Sequence, residues 1–132
     1  MPNNLDVTLD NNTSPPGLDI DQKNNANHVS RSPSAQTITW QLIGNAASGS
    51  FNTQTDQKPG FAWVGTPPPA GIFGDPVRSQ NGNEITMSDL NNSASTSGQW
   101  IYQLSATIGG QVYQSGATSI TATTTNPMIK NT

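Results

Sequence analysis

The residues that could do chemistry are few, and each has a plain alternative. His28 is the only histidine, and it sits in the polar run Asn24-Asn25-Ala26-Asn27. A Ser-His-Asp relay would need a positioned serine, and no nucleophile-type motif supplies one. A solvated loop histidine is the simpler reading. Glu84 is the sole glutamate, whereas glycoside cleavage needs a pair of carboxyl groups across the bond. Its place beside Asn81-Gly82 reads as turn solvation. With no cysteine in the chain, thiolate zinc sites, disulfides and cysteine nucleophiles are excluded. No catalytic residue and no cofactor is expected, and the chain reads as non-enzymatic.

Metal and sugar chemistry have more raw material. Asp19-Ile20-Asp21 begins like a calcium loop, but Lys23 takes the third ligand position and no acidic closing residue follows at the required spacing. Asp6, Asp10, Asp19 and Asp21 would become calcium ligands only by converging at one end of the fold; Asx turns and solubility otherwise explain them. Sugar sites on β-sandwiches combine a flat ring with Asn, Gln or Asp side chains. Trp40 and Trp100 read as packing residues, which leaves Trp63, Phe73 and Tyr113 as exposed candidates.

The elements that must position these residues follow from composition. Ser, Thr, Asn and Gln make up 55 of the 132 residues, while only 13 are charged and the net charge is -3. So little charge cannot hold the chain open, and a folded domain with a thin core follows. Twelve glycines and ten prolines break helices too often for a helical protein, so the class is all-β. The five cations, Lys23, Arg31, Lys58, Arg78 and Lys130, are scattered, which argues against nucleic acid and anionic membrane as partners. Neither a signal-peptide pattern over Met1 to Asp10 nor a bilayer-spanning apolar run is visible. The expected location is the cytoplasm or a phage particle.

Leu5, Val7 and Leu9 alternate with Asp6, Thr8 and Asp10, the period of a half-buried strand. The polar stretch from Asn11 to Gln36 reads mainly as loop, with short extended pieces at Leu18 to Asp21 and around Val29. Gln36 to Gly44 is a strand with Ile38, Trp40 and Leu42 on one face. Phe51 and Phe61 to Gly65 give shorter candidates. Pro67-Pro68-Pro69 then forbids a central ladder and places its segment on an edge or over an end. Asn81-Gly82 suggests a type I′ hairpin between Pro76 to Gln80 and Glu84 to Ser88, with Asn83 able to widen it. Trp100 to Ile108, Gly109-Gly110 and Gln111 to Ser115 form the clearest hairpin. A final strand is expected over Ser119 to Thr125, ended by Asn126-Pro127.

The run Glu84-Ile85-Thr86-Met87-Ser88-Asp89-Leu90, followed by Gly98-Gln99-Trp100-Ile101-Tyr102-Gln103-Leu104, resembles strand E, the corner and strand F of immunoglobulin-like domains. Tyr102 stands where that family has its corner tyrosine, Leu104 where antibody-type domains have a cysteine, and Trp40 where strand C has its core tryptophan. The count of seven to nine short strands with turns between them is the pattern of a single antiparallel sandwich over residues 1–132 with Greek-key connections, and the resemblance implies the same fold. More narrowly, Asn126-Pro127-Met128-Ile129-Lys130-Asn131 and Ile38-Thr39-Trp40-Gln41-Leu42 are similar to small bacterial proteins of the DP-EP type, with Asn126 in place of the aspartate of that name. That likeness implies no activity.

The expected function is protein binding: association with a protein partner or with itself, in a bacterial or phage setting. The alternative is a carbohydrate-binding module. The expected contact residues are Phe61, Trp63, Ile72 and Phe73, on the proline-rich segment Pro59 to Gly74, together with Tyr113. Two roles are open for that segment: a lid over the core, or a stiff arm presenting aromatic anchors.

Overall fold

A computed structural model describes residues 3–11, 16–115 and 127–132. The strands are β1 (Asn4–Asp10), β2 (Gly17–Ile20), β3 (His28–Val29), β4 (Gln36–Leu42), β5 (Ser50–Phe51), β6 (Phe61–Val64), β7 (Val77–Arg78), β8 (Glu84–Asp89), β9 (Gly98–Ile108), β10 (Gln111–Gln114) and β11 (Met128–Asn131). Three single-turn 3-10 segments, Lys23–Asn25, Gly44–Ala46 and Ala94–Thr96, are the only helical pieces among the described residues.

The chain is all-β, and two sheets pack face to face. One sheet runs β2-β1-β4-β8-β7; the other runs β10-β9-β11-β3, with β5 and β6 also on β9. Consecutive strands repeatedly change sheets, from β2 to β3, β3 to β4, β4 to β5, β6 to β7 and β8 to β9, so their connections pass over the ends of the sandwich. The described residues hold eleven strands where seven to nine were expected, because two-residue strands such as β3, β5 and β7 are too short to show a period. The sheets are also mixed rather than purely antiparallel: β1 runs parallel to β4, and β11 parallel to β3.

The long β9 organises the second sheet. One of its edges pairs with β5 at Ala106–Thr107 and with β6 at 101–104. Its other edge pairs with β10 at 105–108 and with β11 at 98–101. Each edge is thus covered by two strands end to end. Alternation along β9 turns Tyr102, Leu104 and Ala106 into the core, where they meet Ile38, Trp40 and Leu42 of β4 and Ile85 and Met87 of β8.

Several expected elements take a different form. The strand carrying Trp40 pairs with β8 and lies in the sheet opposite Tyr102, so it is not the neighbour of Tyr102's strand, as a strand C would be. That neighbour is β6, which carries Trp63. The Asn81-Gly82 hairpin is not a two-residue type I′ turn. Gly82 alone has positive φ, at 77°, and the Ser79 N–H reaches the Glu84 carbonyl around a four-residue loop. The Asn81 side chain accepts from the Asn83 N–H and the Ser79 hydroxyl, which favours the wider loop. Gly109 and Gly110, at φ 60° and 81°, do form the tight turn between β9 and β10. The chain does not leave the fold at Pro127: β11 follows at once, with Ile129 buried. The strand expected over Ser119 to Thr125 lies outside the described residues.

Candidate functional site

The aromatic residues concentrate at one end of the sandwich. At the centre, Trp40, Phe61 and Tyr102 pack with ring centroids 5.2 to 5.3 Å apart. The Trp40 indole N–H donates to the Tyr102 hydroxyl at 2.8 Å, a bond between the two sheets with both residues fully buried. Burial pushes the Tyr102 phenol well above its ordinary range, with the Trp40 hydrogen bond opposing. This hydroxyl is therefore a fixed structural acceptor and not an acid.

From that triad the rings continue outward. Phe61 meets Trp63 edge-on at 4.9 Å, Trp63 meets Phe73 at 5.0 Å, and Phe73 meets Trp100 at 5.5 Å. The register explains the line: Trp63 lies opposite Tyr102 on β6 and β9, and Trp100 is two residues from Tyr102 on the same inward face. The segment between β6 and β7 passes from the edge of one sheet to the edge of the other. It anchors on β8, where the Leu90 N–H reaches the Ile72 carbonyl and the Gly74 N–H reaches the Ser88 carbonyl. Ile72 is the hydrophobic plug of this segment, at 5% exposure. The Pro67-Pro68-Pro69 run belongs to no strand, so its missing donors cost no ladder bond.

The structure divides the five expected contact residues. Phe61 and Ile72 are core residues and present no surface, because alternation on β6 and the anchor on β8 turn them inward. Trp63 and Phe73 are half-buried and packed against the core, so these rings act as a lid while keeping part of their surface open. Tyr113 is also half-buried on the core but lies on β10 and touches none of these rings. Trp100, read as a packing residue, is half-buried and completes the cluster. Its parity with Tyr102 is visible in the sequence, but its distance from the covered centre is not.

Other apolar surface is modest. Val77 on the edge strand β7 is 60% exposed, Val112 41% and Ile101 38%. Ile101 lies opposite Val64 on β6 and Met128 on β11, forming a short apolar row on the outer face of its sheet.

The acidic candidates share one hairpin, where the Asp21 N–H bonds the Asp6 carbonyl, but they close no ligand set. Asp6, Asp10, Asp19 and Asp21 are strung along the β1–β2 hairpin, with Asp19 opposite Thr8 and Asp10 opposite Gly17. The Asp21 carboxylate accepts from the Lys23 N–H, an Asx turn. Among the described residues no three His, Cys, Asp or Glu side chains gather closely enough to hold a metal. His28 has no side-chain hydrogen bond to a described serine or carboxylate. No helix among the described residues is long and apolar enough to cross a membrane. No protein-family model matches the chain, and no curated protein matches it.

Proposed function

We propose that the protein is a non-enzymatic association domain that joins to a second copy of itself through the aromatic end of the sandwich. The observation that carries this reading is the contiguous Trp63, Phe73 and Trp100 cluster, left only partly buried in a domain short of apolar residues. Large rings in one patch gain most from being covered, and aromatic anchors dominate association energetics. The exposed Val77 begins β7, directly after the segment that carries the donor-free prolines. With a net charge of only -3, copies repel one another weakly. The expected setting is the cytoplasm of a bacterium or a phage particle, and β8 and β9 fill the roles of strands E and F in an immunoglobulin-like arrangement. Sugar stacking is the less favoured use of these rings. They meet at 54° and 83° and so form no coplanar platform.

The test is sedimentation velocity over a wide concentration range, run beside thermal melting and retention on immobilised glycans. Wild type is expected to gain mass with concentration, and Val77→Glu with Phe73→Ala to lose that gain while still melting cooperatively. A wild type that stays monomeric throughout overturns the reading, and retention on glycans transfers the site to sugar binding.

A further inference from the structure

The end of β8 carries a buried carboxyl group that the aromatic cluster does not use. We propose that Asp89 holds a proton in the folded protein, and that its carboxylic acid and the Asn131 carboxamide form a reciprocal two-bond clasp between the sheets. Asp89 is fully buried at the end of β8, and Asn131 is 4% exposed on β11 in the opposite sheet. The Asn131 Nδ2 group donates to Asp89 Oδ1 and to the Thr96 carbonyl, both at 2.9 Å, so both of its hydrogens are used. Two buried acceptors are left without a partner on this one pair, Asp89 Oδ2 and Asn131 Oδ1.

An ionised Asp89 would leave a buried charge facing one neutral donor, with both orphans unsatisfied. A proton on Oδ2 turns one orphan into a donor for the other, and the acid and amide close a ring of two hydrogen bonds. The direction of titration agrees: burial raises the Asp89 carboxyl to about 6, against the opposing pull of the Asn131 hydrogen bond.

No charged side chain among the described residues is paired with Asp89; Arg31 lies nearby on the loop whose Ser32 N–H bonds the Asn91 carbonyl, and it makes no ion pair with Asp89. β4 faces Asp89 with Gln36, the lid bridges to it at Phe73, and the Ala94–Thr96 turn and β9 carry no charged side chain. Asp75 and Arg78 lie further along the lid segment. On β3 and β11, His28 and Lys130 pair with each other and alternate with the inward Val29 and Asn131. None of these pairs with Asp89. Any α-carboxyl group at Thr132 ionises below about pH 4.

Because the folded value lies above that of an unfolded aspartate, about 3.9, the folded state holds the proton more tightly. The clasp therefore stabilises fully below about pH 4, and its contribution is lost as pH rises through about 6. The residues flanking Asp89, Ser88 and Leu90, also hold the lid, so the bond that is lost as pH rises sits where the lid is fastened.

Urea unfolding from pH 4 to 8 tests this, in a His28→Gln background because imidazoles ionise in the same window. Asp89→Asn supplies an amide hydrogen in place of the acid proton and cannot titrate. Relative to that variant, the parent is expected to lose about a hundredfold in its folding equilibrium constant across the window. Equal pH profiles overturn the proposal. So does a profile moved by a chelator, which would assign the two oxygens to a cation. Carboxyl carbon NMR of wild-type protein reads the same group without a variant: a midpoint near 6 is expected, and one near that of a free aspartate, about 4, overturns the clasp.

Discussion

Replacing Tyr102 by Phe removes one oxygen from the centre of the molecule and keeps the ring. That oxygen is the acceptor for the Trp40 indole N–H at 2.8 Å, and both side chains are fully buried. The stacked contact of Phe61 on the Tyr102 ring, at 5.2 Å and 13°, remains. The change therefore isolates the hydrogen bond between the sheets. It strands a buried N–H, which costs about 1 to 3 kcal/mol. For a chain of 132 residues, an unfolding entropy of about 2.1 cal/mol/K per residue turns 2 kcal/mol into a melting drop of about 7 °C. Trp40→Phe removes the other partner and also trims the ring, so its loss is larger, about 3 kcal/mol. In the double variant the stranded N–H is gone, and the two losses fall short of adding by about 1 kcal/mol. Calorimetry and urea titration of all four proteins measure this coupling. Strict additivity, or a Tyr102→Phe protein that melts like wild type, would refute the claim that this bond ties the sheets together.

Asn91 is fully buried and donates to the carbonyls of Val29 and Thr132 while accepting from the Thr96 hydroxyl. Asn91→Ala is expected to cost about 2 to 4 kcal/mol by urea titration, because the carbonyls lose a donor inside the fold. A methyl group on Gly110 would meet open space, but the backbone there has a φ of 81°. Gly110→Ala should therefore cost about 1 to 2 kcal/mol in thermal melting through backbone strain alone, with association unchanged.

The strands that the sequence displays best are those that face the core on one side and solvent on the other. β1, β4, β8 and β9 all carry period-2 alternation, and the structure buries the expected faces. β11 is hidden because four residues after a proline resemble a tail; only its pairing with β9 and β3 makes it a strand. The strand of Trp40 departs from expectation for a similar reason. Alternation shows that the ring points inward, but which strand lies beside it is decided by pairing with distant segments. At the site, the proline run correctly places its segment off the sheet interior. Which rings it buries depends on the Ile72 and Gly74 backbone bonds to β8, and no local pattern encodes those. The Asp89–Asn131 pair is equally invisible, since its two members are 42 residues apart.

The three tryptophans report on self-association through the aromatic end residue by residue. Trp63 and Trp100 belong to the proposed contact surface, whereas Trp40 is fully buried with its indole N–H held by Tyr102. Their indole N–H signals, assigned by single Trp→Phe variants, can be followed by two-dimensional NMR from dilute to concentrated protein. The Trp63 and Trp100 signals are expected to shift with concentration while that of Trp40 stays in place. Signals that do not depend on concentration, or shifts confined to residues away from this end of the sandwich, would contradict this expectation.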